Sequence, residues 1–136
     1  MSQENVEIVR GFYAIVDRPP EGLTDDVLSA FFDPEVKYVT IRRGILAQRR
    51  YLGFGGLRRL SIDFFGAWDE LAVEPQEVRE AGDDLVIGVV RVKGRMHEIK
   101  IEEIWSTLFT LRNARIVRVQ AFGSRGGAFE AAELSE

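Results

Sequence analysis

The stretch MHEIKIEEIWSTLFTLRNARIVRVQAF, residues 96–122, decides the fold. From Met96 to Leu111 the odd positions read Ile99, Ile101, Glu103, Trp105, Thr107, Phe109 and Leu111. The even positions near its start read Met96, Glu98, Lys100 and Glu102. Alternation with a period of two places one row on a core and the other toward water. It predicts a long strand over Met96–Leu111, a tight turn at Arg112-Asn113-Ala114 and a second strand over Arg115–Phe122. Glu103 interrupts the apolar row. Either its carboxylate faces the core side, or a bulge after Ile101 shifts the register and turns it to solvent.

Upstream of this hairpin, Leu85–Lys93 is continuously apolar and reads as a strand led in by the turn residues Ala81-Gly82-Asp83-Asp84. A further strand is expected at Glu77–Glu80 and the residues before it. Leu57, Leu60, Phe64, Trp68 and Leu71 recur at helical spacing and predict a helix ending near Glu70. The glycines between Arg43 and Gly55 predict a loop, and Val36–Arg42 has the β-branched and aromatic content of a strand. At the N-terminus, Val6, Val9, Phe12, Tyr13 and Val16 mark an amphipathic helix over Gln3–Val16, with Ser2 as its cap. Pro19-Pro20 ends it. Thr24 caps a second helix over Asp25–Phe32, stopped by Asp33-Pro34. After Gly123, Gly126 and Gly127, Ala128–Leu134 reads as a short terminal helix. Early helices followed by an antiparallel run predict one α+β domain over residues 1–136. In it a curved antiparallel sheet wraps around about three N-terminal helices, forming a cone with an internal pocket.

Composition narrows the chemistry. Apolar residues make up 46% and charged residues 29%, as in ordinary globular proteins. The absence of cysteine removes thiolate and Cys-metal chemistry, and the single histidine, His97, removes clustered-His metal sites. No metal and no cofactor are expected. The net charge of −4 argues against a nucleic-acid partner. With no apolar run of membrane-spanning length and no leader-like N-terminus, a cytoplasmic protein away from membranes is expected. Between Glu35 and Asp63 the charged residues are Lys37, Arg42, Arg43, Arg49, Arg50, Arg58 and Arg59. They form either an electropositive rim for an anionic ligand or a solvated face balanced by acids elsewhere.

Several residues suit a small-molecule pocket. Glu103, surrounded by apolar neighbours, would have its ionised form desolvated and could shuttle a proton. His97 shares the odd row and titrates near neutrality, unless it is simply exposed at the strand's start. Tyr13 lies on the apolar stripe of the first helix, where a buried hydroxyl needs a partner: a ligand, Glu103 or backbone. Trp68 and Trp105 are candidates for pocket wall, with Tyr38 and Thr107 as polar handles that could orient a ligand.

The chain also resembles the SnoaL-like, ketosteroid-isomerase-like branch of the nuclear transport factor 2-like superfamily. The resemblance rests on MSQENVEIVR at 1–10, DPEV at 33–36, Tyr51-x-Gly53-x-x-Gly56-Leu57-Arg58 and AWDE at 67–70. It continues through VEP at 73–75, AGD at 81–83 and FTLR at 109–112 followed by IVR at 116–118. It implies a cone-shaped, cystatin-like fold, a homodimer built on the sheet, and a hydrophobic small molecule in the cone. The implied activity is that of a cofactor-independent isomerase, cyclase or dehydratase acting on a carbonyl compound. A non-catalytic ligand-binding or dimerisation domain of the same fold is the alternative. The steroid isomerases' tyrosine and two aspartates fall at Phe12, Val39 and Thr107 in this chain. The acid and Tyr-x-Asp of the cyclases fall at Ala121, Phe122, Gly123 and Ser124. Steroid-isomerase chemistry is therefore not expected.

Overall fold

The computed structural model describes residues 2–16, 19–41 and 49–135. The side chain of Ser2, expected as a cap, and residues 42–48, which include Arg42, Arg43 and Gly44, fall outside the described set. The elements are α1 (Ser2–Tyr13), α2 (Asp25–Ser29), β1 (Phe32–Ile41), β2 (Arg49–Leu52), α3 (Gly53–Phe65), β3 (Glu70–Gly82), β4 (Leu85–Met96), β5 (Ile99–Arg112), β6 (Arg115–Phe122) and α4 (Gly127–Ser135). A 3-10 turn at Pro20–Gly22 links α1 to α2.

The six strands form one open sheet in the order β2-β1-β6-β5-β4-β3. All neighbours are antiparallel except β1 and β6, which run parallel with Tyr38 beside Val119 and Thr40 beside Ala121. The sheet is thus mixed rather than wholly antiparallel, because the chain crosses from β1 through β2 and α3 before the β3–β6 meander returns to it. The edge strand β3 carries Glu74, Pro75, Glu77, Arg79 and Glu80 and two breaks in register. Charge, proline and bulges blunt an exposed edge against pairing with another chain.

Several boundaries differ from the expected ones for local reasons. Thr24 does cap α2, its Oγ1 accepting from the Val27 N–H at 3.3 Å, but the helix stops at Ser29. Phe32 belongs to β1 instead, because Ile116 of β6 pairs with it there. β2, placed in a loop by its sequence, pairs with β1 through Tyr38 and Tyr51. α3 begins at Gly53 and ends at Phe65, well before Glu70; in its first turn Gly56 leaves room for the Tyr51 backbone, which a Cβ would meet at 2.9 Å.

The expected long strand from Met96 is in fact the end of β4 and the start of β5. A two-residue turn, His97-Glu98, joins Met96 to Ile99. His97 takes φ 57° there, and its N–H donates to Asp69 Oδ2 at 2.7 Å. The hydrogen bond to Asp69 holds His97 in a left-handed conformation that glycine or asparagine adopts at less cost.

The β5–β6 turn lies where expected. Arg112 pairs with Arg115, and Asn113 and Ala114 both have positive φ, 53° and 60°. Two left-handed central residues make this a type I′ hairpin, for which Asn-Gly is the preferred pair. A Cβ in that region is strained. We expect Ala114→Gly to raise stability by about 0.5–1 kcal/mol, the relief of strain being partly offset by glycine's freedom in the unfolded chain. A thermal melt should show a rise of about 2–4 °C; an unchanged or lower midpoint would contradict the strain.

The pleat separates two cores. Facing α1–α3 are Val86, Phe109, Leu111, Ile116 and Val119, packed with Val6, Val9, Leu28, Val36 and Leu57. On the opposite face Ile87, Val89 and Leu108 pack beneath Ala128 and Ala132 of α4. The buried Ser106 hydroxyl fixes that helix by donating to the Ser124 carbonyl at 2.8 Å and accepting from the Ala128 N–H at 2.9 Å. No described helix is long and apolar enough to cross a membrane.

Candidate functional site

The concave face of the sheet and the three N-terminal helices enclose a cavity. The space open to the centre of a water molecule is about 110 Å³. A single water needs roughly 10–15 Å³ on that measure, so the space exceeds that of one water several times over. Strand periodicity supplies one wall: Val90 and Val92 from β4, Trp105, Thr107 and Phe109 from β5, and Tyr38 and Thr40 from β1. Helical periodicity supplies the other, with Phe12 and Tyr13 from α1 and Leu57, Leu60, Ser61 and Phe64 from α3.

Among the described residues that line it none carries a charge; their polar side-chain groups are hydroxyls and the Trp105 indole N–H. Tyr13 stands edge-on to Phe109, with ring centroids 5.8 Å apart and planes at 88°. Its hydroxyl end lies against Gly88, where a Cβ would meet its Cε2 and Cζ at 2.8 Å. Gly88 pairs with Thr107 in the sheet, so the missing side chain is what gives this ring its place. The Tyr13 hydroxyl is buried and has no hydrogen-bond partner among the described residues. Burial, and then nearby Tyr38, push its pKa well above the ordinary tyrosine range. Thr107 pulls weakly the other way without completing a hydrogen bond of good geometry. Burial, and secondarily Tyr51, push the Tyr38 phenol up to about 12. Both phenols therefore stay protonated at neutral pH, each with an O–H able to donate. Tyr51, paired with Tyr38 across β1 and β2, donates to Asp63 Oδ2 at 3.0 Å.

Of the residues singled out from the sequence, Tyr13, Tyr38, Trp105 and Thr107 are brought together on the wall. Glu103 shares the concave row of β5 but is not among the lining residues. Its Oε1 accepts from the Trp105 indole N–H at 2.7 Å, which places the carboxylate beside the wall. His97 is exposed on the β4–β5 turn, its backbone bonded to Asp69 and its side chain away from the lining. Trp68 also lies outside the lining. It packs edge-on to Phe64 at 6.2 Å and over Gly94, where a Cβ would strike its ring at 2.6 Å.

In the basic stretch, Arg58 bonds Asp25 at 2.9 Å and Arg59 bonds Asp63 at 3.2 Å, while Arg49 and Arg50 are exposed. Among the described residues, no group of three or more acids and histidines is placed to hold a metal.

Sequence reading passed over Ser61 and Thr40. Ser61 lies between Leu57 and Phe64 on the apolar stripe of α3, and Thr40 follows Val36 and Tyr38 in alternation. A polar residue breaking an apolar row is the same signal that drew attention to Glu103.

No family model and no curated protein matches the chain. Solved structures do. An NTF2-like protein from Burkholderia xenovorans LB400 aligns with a TM-score of 0.72 and 20% identity over 97% of this chain and 98% of that one. A protein assigned as a SnoaL-like polyketide cyclase from Jannaschia sp. CCS1 aligns at 0.67 and 18% identity, over 90% and 86%. A protein with a ketosteroid isomerase-like fold from Catenulispora acidiphila DSM 44928, in complex with trimethylamine, aligns at 0.68 and 17%, over 93% and 92%. The fold expected from the motif resemblance is therefore the fold this chain has.

Proposed function

We propose that this chain, folded as the SnoaL-like and ketosteroid-isomerase-like proteins of the nuclear transport factor 2-like superfamily are, binds a neutral, mostly apolar small molecule in its cone. The observation that carries this reading is a cavity whose described lining has no charged side chain but has a buried Tyr13 hydroxyl without a partner among the described residues. An ionised ligand would lose its hydration there with no counter-charge among the described lining residues to replace it. A carbonyl oxygen, in contrast, would accept from the phenol and relieve an unsatisfied donor. A hydrophobic carbonyl compound fits both conditions.

A second reading is supported by Glu103. Its carboxylate is tied to the wall residue Trp105, on the strand face that lines the cavity. On that reading Glu103 shuttles a proton in an enolisation, isomerisation, dehydration or cyclisation that needs no cofactor.

One experiment separates the two. We expect an aromatic ketone such as 2-acetylnaphthalene, incubated in deuterium oxide, to bind and quench tryptophan emission, to exchange its acetyl protons no faster than in buffer alone, and to bind Glu103→Gln within about twofold of wild type. Exchange of those protons for deuterium catalysed by wild type, slowed by about 10²-fold or more in Glu103→Gln, would establish the catalytic reading instead. No binding of apolar carbonyl compounds would remove both.

A further inference from the structure

Tyr13 and Ser61 carry the two buried side-chain hydroxyls without a hydrogen-bond partner among the described residues, and both line the same cavity. They arrive from different helices and sit in different surroundings. Tyr13 belongs to α1 and stands between Phe12, Phe109 and the Gly88 backbone. Ser61 belongs to α3, one turn after Leu57 and one turn before Phe64, whose ring lies 5.8 Å from that of Trp105. A serine inside a helix commonly returns its hydroxyl to a backbone carbonyl of the preceding turn. Ser61, only 5% exposed, does not. A buried hydroxyl without a partner is unfavourable, and such groups are few in folded proteins. Two of them in one cavity, whose described lining carries no charge, mark two positions where polar atoms belong.

We propose that the cavity takes a neutral ligand with two separate oxygen functions: an aromatic or alicyclic diol, hydroxy-ketone or dione. One oxygen is served by Tyr13 and the other by Ser61. The apolar body between them lies against Val90, Val92, Trp105 and Leu57, which line the wall. This rests on the cavity-binding reading above and adds the number of polar groups in the ligand and the residues that meet them. Both hydroxyls can donate, and the serine can equally accept, so alcohol and ketone oxygens are both accommodated.

Three compounds on one ring system test it: naphthalene, 2-naphthol and 2,6-dihydroxynaphthalene, titrated calorimetrically into the full chain. In wild type each added oxygen is expected to tighten binding by about tenfold. Ser61→Ala and Tyr13→Phe should each bring the diol down to the affinity of the naphthol while leaving naphthalene unchanged. The double variant should bind all three alike. Both substitutions remove an unpartnered hydroxyl and keep the packing, so thermal melts should show intact folds.

A diol that binds no tighter than the naphthol overturns the proposal. So does Ser61→Ala if it weakens all three compounds equally, since that outcome belongs to a packing role. Naphthalene held with no gain from either oxygen overturns the two-oxygen assignment but leaves the apolar cavity reading standing. Failure of all three compounds to bind overturns both.

Discussion

Truncating Phe109 to alanine is expected to remove about 3–5 kcal/mol of stability, the range for deleting a fully buried aromatic side chain. Phe109 is 0% exposed and sits where three parts of the fold meet. Its ring stands edge-on to Phe12 at 5.9 Å and to Tyr13 at 5.8 Å, and its strand pairs it with Val86 on one side and Val119 on the other. Domains of this size hold only about 5–15 kcal/mol in total, so the variant would be marginal. Urea unfolding gives the measurement. With a slope of about 1–3 kcal/mol per molar, the midpoint should fall by more than about 1 M with the slope little changed. A fall worth less than about 1 kcal/mol would mean the neighbouring cavity collapses to fill the gap, and that the aromatic cluster does not hold α1 to the sheet.

Alkali should unfold the chain through its buried phenols. An unfolded tyrosine ionises near pH 10. In the folded chain Tyr38 ionises only near 12, and Tyr13 is raised as well. A raised folded pKa means the native state keeps protons that the unfolded state has released, so stability is whole below about pH 10 and declines as pH climbs toward the folded values. Each phenol contributes a slope of about 1.4 kcal/mol per pH unit in that window, and the two together about 2.7. From about pH 10 to 12 the loss is comparable with the entire stability of a small domain. Urea midpoints across this range should fall steeply, with phenolate absorbance appearing together with loss of structure. Tyr38→Phe should roughly halve the slope; an identical slope in that variant would show that another group titrates.

How far the sequence leads is visible in the same elements. Long segments with one clean period were legible: α1, the apolar run of β4, and the β5–β6 hairpin with its turn. Legibility failed where a distant partner makes the structure. β2 is four residues beginning with two arginines, and it becomes a strand only because β1 offers an edge. β3 hides its alternation under edge charges, so a strand is expected at Glu77–Glu80 and the residues before it without a defined start at Glu70. The His97-Glu98 turn has no local turn signal because its stabilising acid, Asp69, lies 28 residues away. At the cavity, period-two alternation placed Trp105 and Thr107 correctly relative to Phe109, and the helical stripe led to Tyr13. Trp68 was read as wall because it continues the spacing of α3, yet the helix stops at Phe65 and the indole goes to Gly94 instead. Whether a carboxylate on the right face reaches the hollow depends on side-chain direction, and Glu103 turns to the Trp105 indole, a choice that alternation does not encode.

Gly88 acts as a mould for the ring above it. The depth of the hollow is set at a strand position that contributes no atom to its wall. Any side chain there would drive Tyr13 inward like a piston, shortening the space and carrying its hydroxyl away from Thr107. The range of guests this cone admits is therefore tuned from beneath the wall, and a search for altered selectivity gains most by varying residue 88 before any residue that touches the guest.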